Sequence, residues 1–460
     1  MNRNNQTIMG PTSMMEIKDQ QVSVRKAAAP LHISELTLGR KITSSCDSYC
    51  DVHEIKGIVR TDQSMILQTE GKLDTSEILC RETFLRQVKN SSQKGSDGPS
   101  KKFVVKFVKE EWMENHQGFE IAACRLATED RLLSQLSHPN IPNIYGRASE
   151  GTEAYYLSGG NDSYFIVLEQ MKATLFERIK MWRRRRDSSS KRIHHILGPK
   201  SKRRSSCKAS KSRMLLMERL KVAMDLASAL TYLHSQKMVH RNIHPGNIAF
   251  DSRGDVKLVG FGMAKKIDNS SSTFSLYGDD HHNDPLSESV TSTAEFVASR
   301  YTACEVLCGE EHGTASDVFS FTTLLFELLT LPESLKKVKK RNSLDNTPQS
   351  SKIKDDSIPT DLQYLIEQGW HRDPLQRPSM RTMAKVLQRA FEDLENEELS
   401  SFQISSTKET AKSSNSSLES QSNVIKTGGR KARSVSMSHV KHAQSSIKRI
   451  SEPRKTLLLW

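Results

Sequence analysis

Strands crowd the first part of this chain and helices the rest, which predicts an α+β fold in two lobes, one small and β-rich, one larger and helical. Three observations carry this. Short runs of β-branched and aromatic residues recur up to about residue 168. Beyond about residue 214, apolar residues return at helical spacing. Polar stretches poor in bulky apolar residues interrupt this order without ending it.

Each element has its own warrant. Leu36 to Ile58 is strand-like. Lys89 to Lys101, with Asn90, Ser91, Ser92, Gly95, Ser96 and Gly98, reads as a long loop. Phe103-Val104-Val105-Lys106-Phe107-Val108 is a compact β run. Phe119 to Leu136 is helical by period, with Leu126, Leu132, Leu133 and Leu136 on a shared face. Tyr164 to Leu168 is again strand-like. Met214 to His234 carries Leu216, Leu220, Met224, Ala227, Leu230 and Leu233 at helical spacing. Ile248–Phe250 and Val256–Val259 flank the hairpin signal Asp251-Ser252-Arg253-Gly254. Val318 to Leu329, Leu362 to Trp370 and Met380 to Leu394 are three more helices.

Composition sets bounds. The 460 residues, 36% hydrophobic and 27% charged, suffice for one two-lobed domain with tails. No apolar run approaches the about 20 residues of a membrane span, and the polar start has no signal-peptide core. Seven cysteines in no regular framework point to a reducing compartment, hence to the cytoplasm or nucleus. Cys46/Cys50 and Cys304/Cys308 lack neighbouring His or Cys partners for a zinc site. The net charge of +14 gathers in Arg183 to Arg186, Lys202 to Arg204, Lys336 to Arg341 and Arg430 to Arg433. These read as solvated loops and tail with nuclear-import character. Nucleic-acid binding through them is the lesser reading.

The chemistry lies in two short stretches. Residues 240–248 read His-Arg-Asn-Ile-His-Pro-Gly-Asn-Ile, and Val259-Gly260-Phe261-Gly262 follows. These resemble the catalytic loop H-R-D-x-x-x-x-N and the D-F-G motif of the eukaryotic protein kinases. Further pieces come in the family's order. They are Leu38-Gly39-Arg40, Val52-His53-Glu54, Val104-Val105-Lys106, Leu133 to Ile141 with its His-Pro-Asn, Phe165 to Met171, Ala303-Cys304-Glu305, Ser316-Asp317-Val318 and Asp373 to Pro378. The resemblance covers residues 31–395, with a small lobe over about 31–168 and a large lobe over about 171–395. Insertions fall at about 183–212, 268–295 and 337–358. Residues 1–30 and the basic, Ser-rich stretch 396–460 are expected to be disordered.

The resemblance implies a role for each matched residue. Lys106 would contact the α- and β-phosphates of ATP and pair with Glu129, or with its neighbour Asp130. Leu168 would be the gatekeeper, and the backbone of Glu169 and Met171 would face an adenine edge. Gly39, Val52 and Val104 would cover the nucleotide, although Leu38-Gly39-Arg40-Lys41 lacks the later glycines and Lys41 would stand in with its charge. His240, Arg241, Glu305, Asp317 and Arg377 would be scaffold, Glu305 pairing with Arg377 and Asp317 bracing the His240–Arg241 turn.

At the reacting centre the chain departs from the family. Asn242 stands where the base Asp belongs, and an amide takes no proton near neutral pH. Gly260 replaces the metal-binding Asp, and His244 the Lys that neutralises the transferring phosphate. Asn247 alone matches a metal ligand, which leaves magnesium weakly held or absent. His244 is a candidate replacement base by its ordinary pKa. These departures imply a pseudokinase, a scaffold or allosteric regulator of an active kinase or its substrates, with weak ATP binding. An atypical serine/threonine kinase with residual phosphotransfer is the alternative. Arg433-Ser434-Val435-Ser436 and Lys448-Arg449-Ile450-Ser451 resemble basophilic kinase sites, where phosphate would reverse the local charge.

Overall fold

The computed structural model describes residues 28–42, 49–59, 74–92, 102–155, 159–197, 202–267, 300–310, 313–331 and 358–419. The chain divides into two compact units. Of the described residues, one unit holds those up to Gln170 apart from 138–141, and the other holds 138–141 and those from Met171 on.

The first unit is built on six strands, β1 (Ala29–Leu31), β2 (Leu36–Lys41), β3 (Cys50–Ile58), β4 (Phe103–Val108), β5 (Ile144–Ala148) and β6 (Phe165–Glu169). Their order is β1-β5-β6-β4-β3-β2. All neighbours are antiparallel except β1 and β5. Helices α1 (Thr75–Ser92) and α2 (His116–Gln135) complete the unit. All six residues of β4 are buried, which requires cover on both faces of the sheet. Phe84 of α1 meets Phe103 edge-on at 5.2 Å. Lys106 has the opposite parity along the strand and reaches Glu129 of α2. At β4 the sheet is therefore a layer between the two helices. Burial of Phe84 and Val88 contributes about 1.5–3 kcal/mol each.

Helix α1 falls in a stretch with no element predicted before Lys89. Asp74 and Glu77 cap it reciprocally, each side chain accepting from the other's backbone N–H at 2.8 and 3.1 Å. Arg81 lies on the buried face beside Phe84 and Val88, where it interrupts the apolar stripe. Its guanidinium forks onto the carboxylate of Glu35 and donates to the Pro30 carbonyl at 2.7 Å. The long loop expected from Lys89 is still helix through Ser92, and residues 93–101 lie outside the described residues.

The second unit has a three-stranded sheet of β7 (Ala173–Thr174), β9 (Ile248–Phe250) and β10 (Val256–Leu258) in the order β10-β9-β7. A ribbon pairs β8 (Met238–Val239) with β11 (Lys265–Lys266). Its helices are α3 (Leu175–Leu197), α4 (Lys202–Ser235), α5 (Cys304–Leu307), α6 (Thr314–Thr330), α7 (Thr360–Gly369) and α8 (Met380–Glu419). The apolar α6 buries Val318, Phe319, Phe321, Leu324, Leu325 and Leu328, with α4 and α7 packed on it and α8 along α4.

Three expectations about order are corrected. Residues 28–30 are structured, because β1 hydrogen-bonds beside β5 and Ala29 is fully buried. The basic stretch 183–212 is largely helix, since Arg and Lys are good helix formers and α3 and α4 continue through it. Structure also continues past Asn396: α8 runs to Glu419, and Arg213 of α4 ties its Glu397 and Glu398 at 3.3 and 3.1 Å. Segment 268–295, the insertion up to residue 357, Cys46, the basic clusters at 336–341 and 430–433 and the Ser-rich tail motifs lie outside the described residues. Among the described residues no helix is long and apolar enough to cross a membrane.

Candidate functional site

In the first unit the candidate residues meet around β4. The Lys106 ammonium donates to Glu129 at 2.7 Å, with both side chains almost wholly buried. The pairing registers place Val52 opposite Lys106, Val104 opposite Leu168 and Glu169 opposite Phe103. Asp130 does not compete for Lys106. It points elsewhere on the helix, to the Tyr164 hydroxyl at 2.9 Å and Arg147 at 3.3 Å. Gly39 lies in β2, where an added Cβ would press on Lys56 at 3.1 Å. Lys41 is tied to Asp51 at 2.6 Å, so its charge is already matched within the hairpin. The β2–β3 tip, residues 43–48, lies outside the described residues.

In the second unit the two degenerate motifs are joined by one residue. Asn247 donates from Nδ2 to the Asn242 carbonyl at 2.8 Å. Its own backbone carbonyl accepts from Val259 N–H at 2.9 Å. Gly260 has φ +80° and ψ 51°, the left-handed region. A Cβ added there would lie 2.6 Å from Asn247 Oδ1. His240 is fully buried, donates from Nε2 to the Val259 carbonyl at 3.1 Å and meets Phe261 edge-on. Met171 opens this unit, half-buried ahead of β7.

His244 is nearly buried, and its Nδ1 accepts the Gly246 N–H at 3.2 Å. Burial, helped by the charge of His240, lowers its pKa to about 4. At neutral pH it is an uncharged ring with one nitrogen already engaged. It supplies no positive charge, and as a base it is too weak for proton abstraction near pH 7.

A set of buried polar contacts frames these residues. Asp317 accepts the backbone N–H groups of His240 and Arg241, each at 2.9 Å, and a hydrogen bond from His234 Nε2 at 2.9 Å. Burial alone would raise its pKa, but His234 and these donors hold it below the usual carboxylate value. The two N–H bonds also hold Arg241 at φ 68°, a conformation costing about 1–2 kcal/mol outside glycine. Arg377 forks onto Glu305 at 2.6 and 2.7 Å and donates to Ala315 O and His371 O. Arg183 and Arg186, expected in a solvated loop, instead serve α6. Arg183 pairs with buried Glu327 at 3.4 Å, and Arg186 donates to the Leu331 carbonyl at 3.0 Å. Arg185 pairs with Glu218 at 3.1 Å.

A family model described as protein tyrosine and serine/threonine kinase matches residues 76–387. The chain belongs to the protein kinase family. It is 29% identical over 182 residues to serine/threonine-protein kinase 12 of Arabidopsis thaliana, covering 37% of this chain and 35% of that protein. It is 29% identical over 182 residues to serine/threonine-protein kinase STY17 of the same plant, covering 39% and 28%. It is 28% identical over 213 residues to a probable serine/threonine-protein kinase PknB of Bifidobacterium longum, covering 46% and 24%. The chain thus spans about a third or less of these relatives.

A protein kinase implies ATP and magnesium, and the two fit these residues differently. The buried Lys106–Glu129 pair is the arrangement that would receive the α- and β-phosphates. The magnesium site does not fit. Magnesium is held through carboxylates, and here the D-F-G carboxylate is absent at Gly260. The remaining donor, Asn247, is neutral, and its Oδ1 crowds the space a side chain at 260 would need. Among the described residues no three His, Cys, Asp or Glu side chains cluster to hold a metal ion.

Several partners were not legible from motifs. His234 on Asp317 and Tyr301 on Glu327, the latter at 2.5 Å, join residues far apart in the chain. The one local hint is that Glu327 is a charge inside an otherwise apolar helical run, which signals a buried partner.

Proposed function

We propose that this kinase-family chain is a pseudokinase that acts inside the cell by binding, as a scaffold or allosteric regulator in phosphorylation signalling. The observation that carries this reading is the crowding of Gly260 by Asn247 beside the amide at 242. The base is missing, and a side chain restored at 260 would first have to displace the Asn247 amide. General base assistance is worth about 10²- to 10⁴-fold and metal neutralisation several kcal/mol, so loss of both removes most phosphotransfer. Lys106 with Glu129 supports ATP binding that does not depend on magnesium. The partner in this reading is an active kinase or one of its substrates.

A thermal-shift titration with ATP, with and without magnesium, tests it together with a phosphotransfer assay over broad substrates. The expected result is no turnover and an ATP shift that ignores magnesium. Magnesium-dependent turnover lost in Asn247→Ala would overturn the reading. It would favour a residual serine/threonine kinase instead, a reading to which the closed Lys106–Glu129 pair also lends support. Nucleic-acid binding through the basic insertions is less well supported, because three of the four arginines at 183–186 are engaged within the chain.

A further inference from the structure

Glu129 and Asp130 are adjacent on α2 and point about 100° apart. Glu129 closes on Lys106 of β4. Asp130 is 7% exposed, a buried carboxylate on the packed side of a helix where an apolar side chain is the ordinary choice. It is well supplied with donors. Oδ2 accepts the Tyr164 hydroxyl at 2.9 Å, just ahead of β6, and Oδ1 pairs with Arg147 of β5 at 3.3 Å. Arg147 also donates to Ser134 Oγ at 2.6 Å, and that hydroxyl donates to the Asp130 carbonyl one turn back at 2.7 Å. Burial first, and the neighbouring Asp130 second, raise the Tyr164 pKa well above its ordinary value, so the phenol keeps its proton and donates.

Two directional contacts, to β5 and to the residue just ahead of β6, fix more than the height of a helix. Apolar packing alone leaves a helix free to roll by small angles, because it has no preferred direction. The Arg147 ion pair from β5 and the Tyr164 hydrogen bond just ahead of β6 specify one rotation of α2, and that rotation presents Glu129 to Lys106. A buried charge costs desolvation that a Val would not, and its best-attested use is to specify one packing among several.

We propose that Asp130, with Tyr164 and Arg147, is a built-in clamp that holds α2 in the orientation closing Lys106 on Glu129. This lies in the first unit alone and stands whether or not the chain transfers phosphate.

The test is trace acetylation of the nucleotide-free full chain with acetic anhydride, each lysine read by mass spectrometry. Lys106 reports α2. Lys257 is the internal control, since its ammonium donates to the Pro139 carbonyl in the other unit and labels faster only on wider unfolding. Asp130→Val, which keeps size and removes both contacts, is expected to raise Lys106 labelling about tenfold, with Lys257 unchanged. Tyr164→Phe removes one hydroxyl at little risk to folding and is expected to raise it about threefold. Should Asp130→Val fail to fold, Tyr164→Phe decides alone. Lys106 labelling that stays at the wild-type rate in Tyr164→Phe, or rises only in parallel with Lys257, would overturn the clamp and leave apolar packing as what holds α2.

Discussion

Asn247 Oδ1 stands 2.6 Å from the point at which a side chain on Gly260 would begin, closer than a Cβ comes to any heavy atom in practice. The family's carboxylate is missing here, and restoring it by one substitution meets two costs. Asp at φ +80° costs about 1–2 kcal/mol, and the contact forces Asn247 off its bond to the Asn242 carbonyl. Gly260→Asp is expected to lower the denaturation midpoint and to give no magnesium-dependent thermal shift. Combined with Asn247→Gly, it should cost less than it does alone, a coupling that a double-mutant cycle reads directly. Full stability of Gly260→Asp by itself would show that the crowding is not real.

Lys106→Met is the usual control for nucleotide chemistry at such a site, and here it carries a second effect. Glu129 is only 4% exposed and would be left without its cation. Breaking one side of a buried pair costs about 3–5 kcal/mol, whereas replacing both with apolar groups is often near neutral. Chemical denaturation should show a large loss for Lys106→Met and a much smaller one for Lys106→Met with Glu129→Leu. Additive, small losses would mean that water reaches the pair.

How much could be read in advance follows from where the information sits. Lys106, Glu129, Glu305, Asp317 and Arg377 were legible because each lies at a fixed distance from a local anchor. Helix α1 was not, because Arg81 breaks its apolar stripe and the residue that explains it, Glu35, is on another element. The basic run at 183–186 reads as a solvated loop for the same reason: its partners, Glu327 and the Leu331 carbonyl, belong to α6. Asn242 and Gly260 announced the missing groups. That the Asn247 amide lies against Gly260 is a fact of packing, which no string of residues states.

The arginine cluster gives a direct check on that correction. Arg183 neutralises Glu327, whose carboxyl is pushed upward by burial and held down by the Tyr301 hydroxyl and nearby arginines. Arg186 satisfies a carbonyl at the end of α6, one of the orphan groups every helix terminus leaves. Arg183→Ala and Arg186→Ala are each expected to cost about 1–3 kcal/mol. Arg184 is exposed, and Arg184→Ala should change stability by no more than about 0.5 kcal/mol. Equal, negligible effects at all three would restore the solvated-loop reading.

Acid should unfold the second unit in two separable windows. Burial, then the charge of His240, takes His244 from 6.5 to about 4, and burial, then Lys257, takes His138 to about 4. Burial also lowers His240, against the pull of Asp317. A histidine whose folded pKa lies below its unfolded value binds fewer protons folded than unfolded between the two. Stability is then full above about pH 6.5 and falls as pH drops toward about 4. For His244 this is of order 3 kcal/mol. The paired carboxylates act lower. Burial opposes ionisation of Asp317 and Glu305, but His234 and Arg377 respectively bring both below their ordinary values, so their contribution disappears only below about pH 4. Midpoints measured from pH 7 to pH 4 should fall in wild type and fall less steeply in His244→Gln, which cannot take up the proton. An identical slope in the two proteins would mean that His244 is already solvated and titrates at its ordinary value.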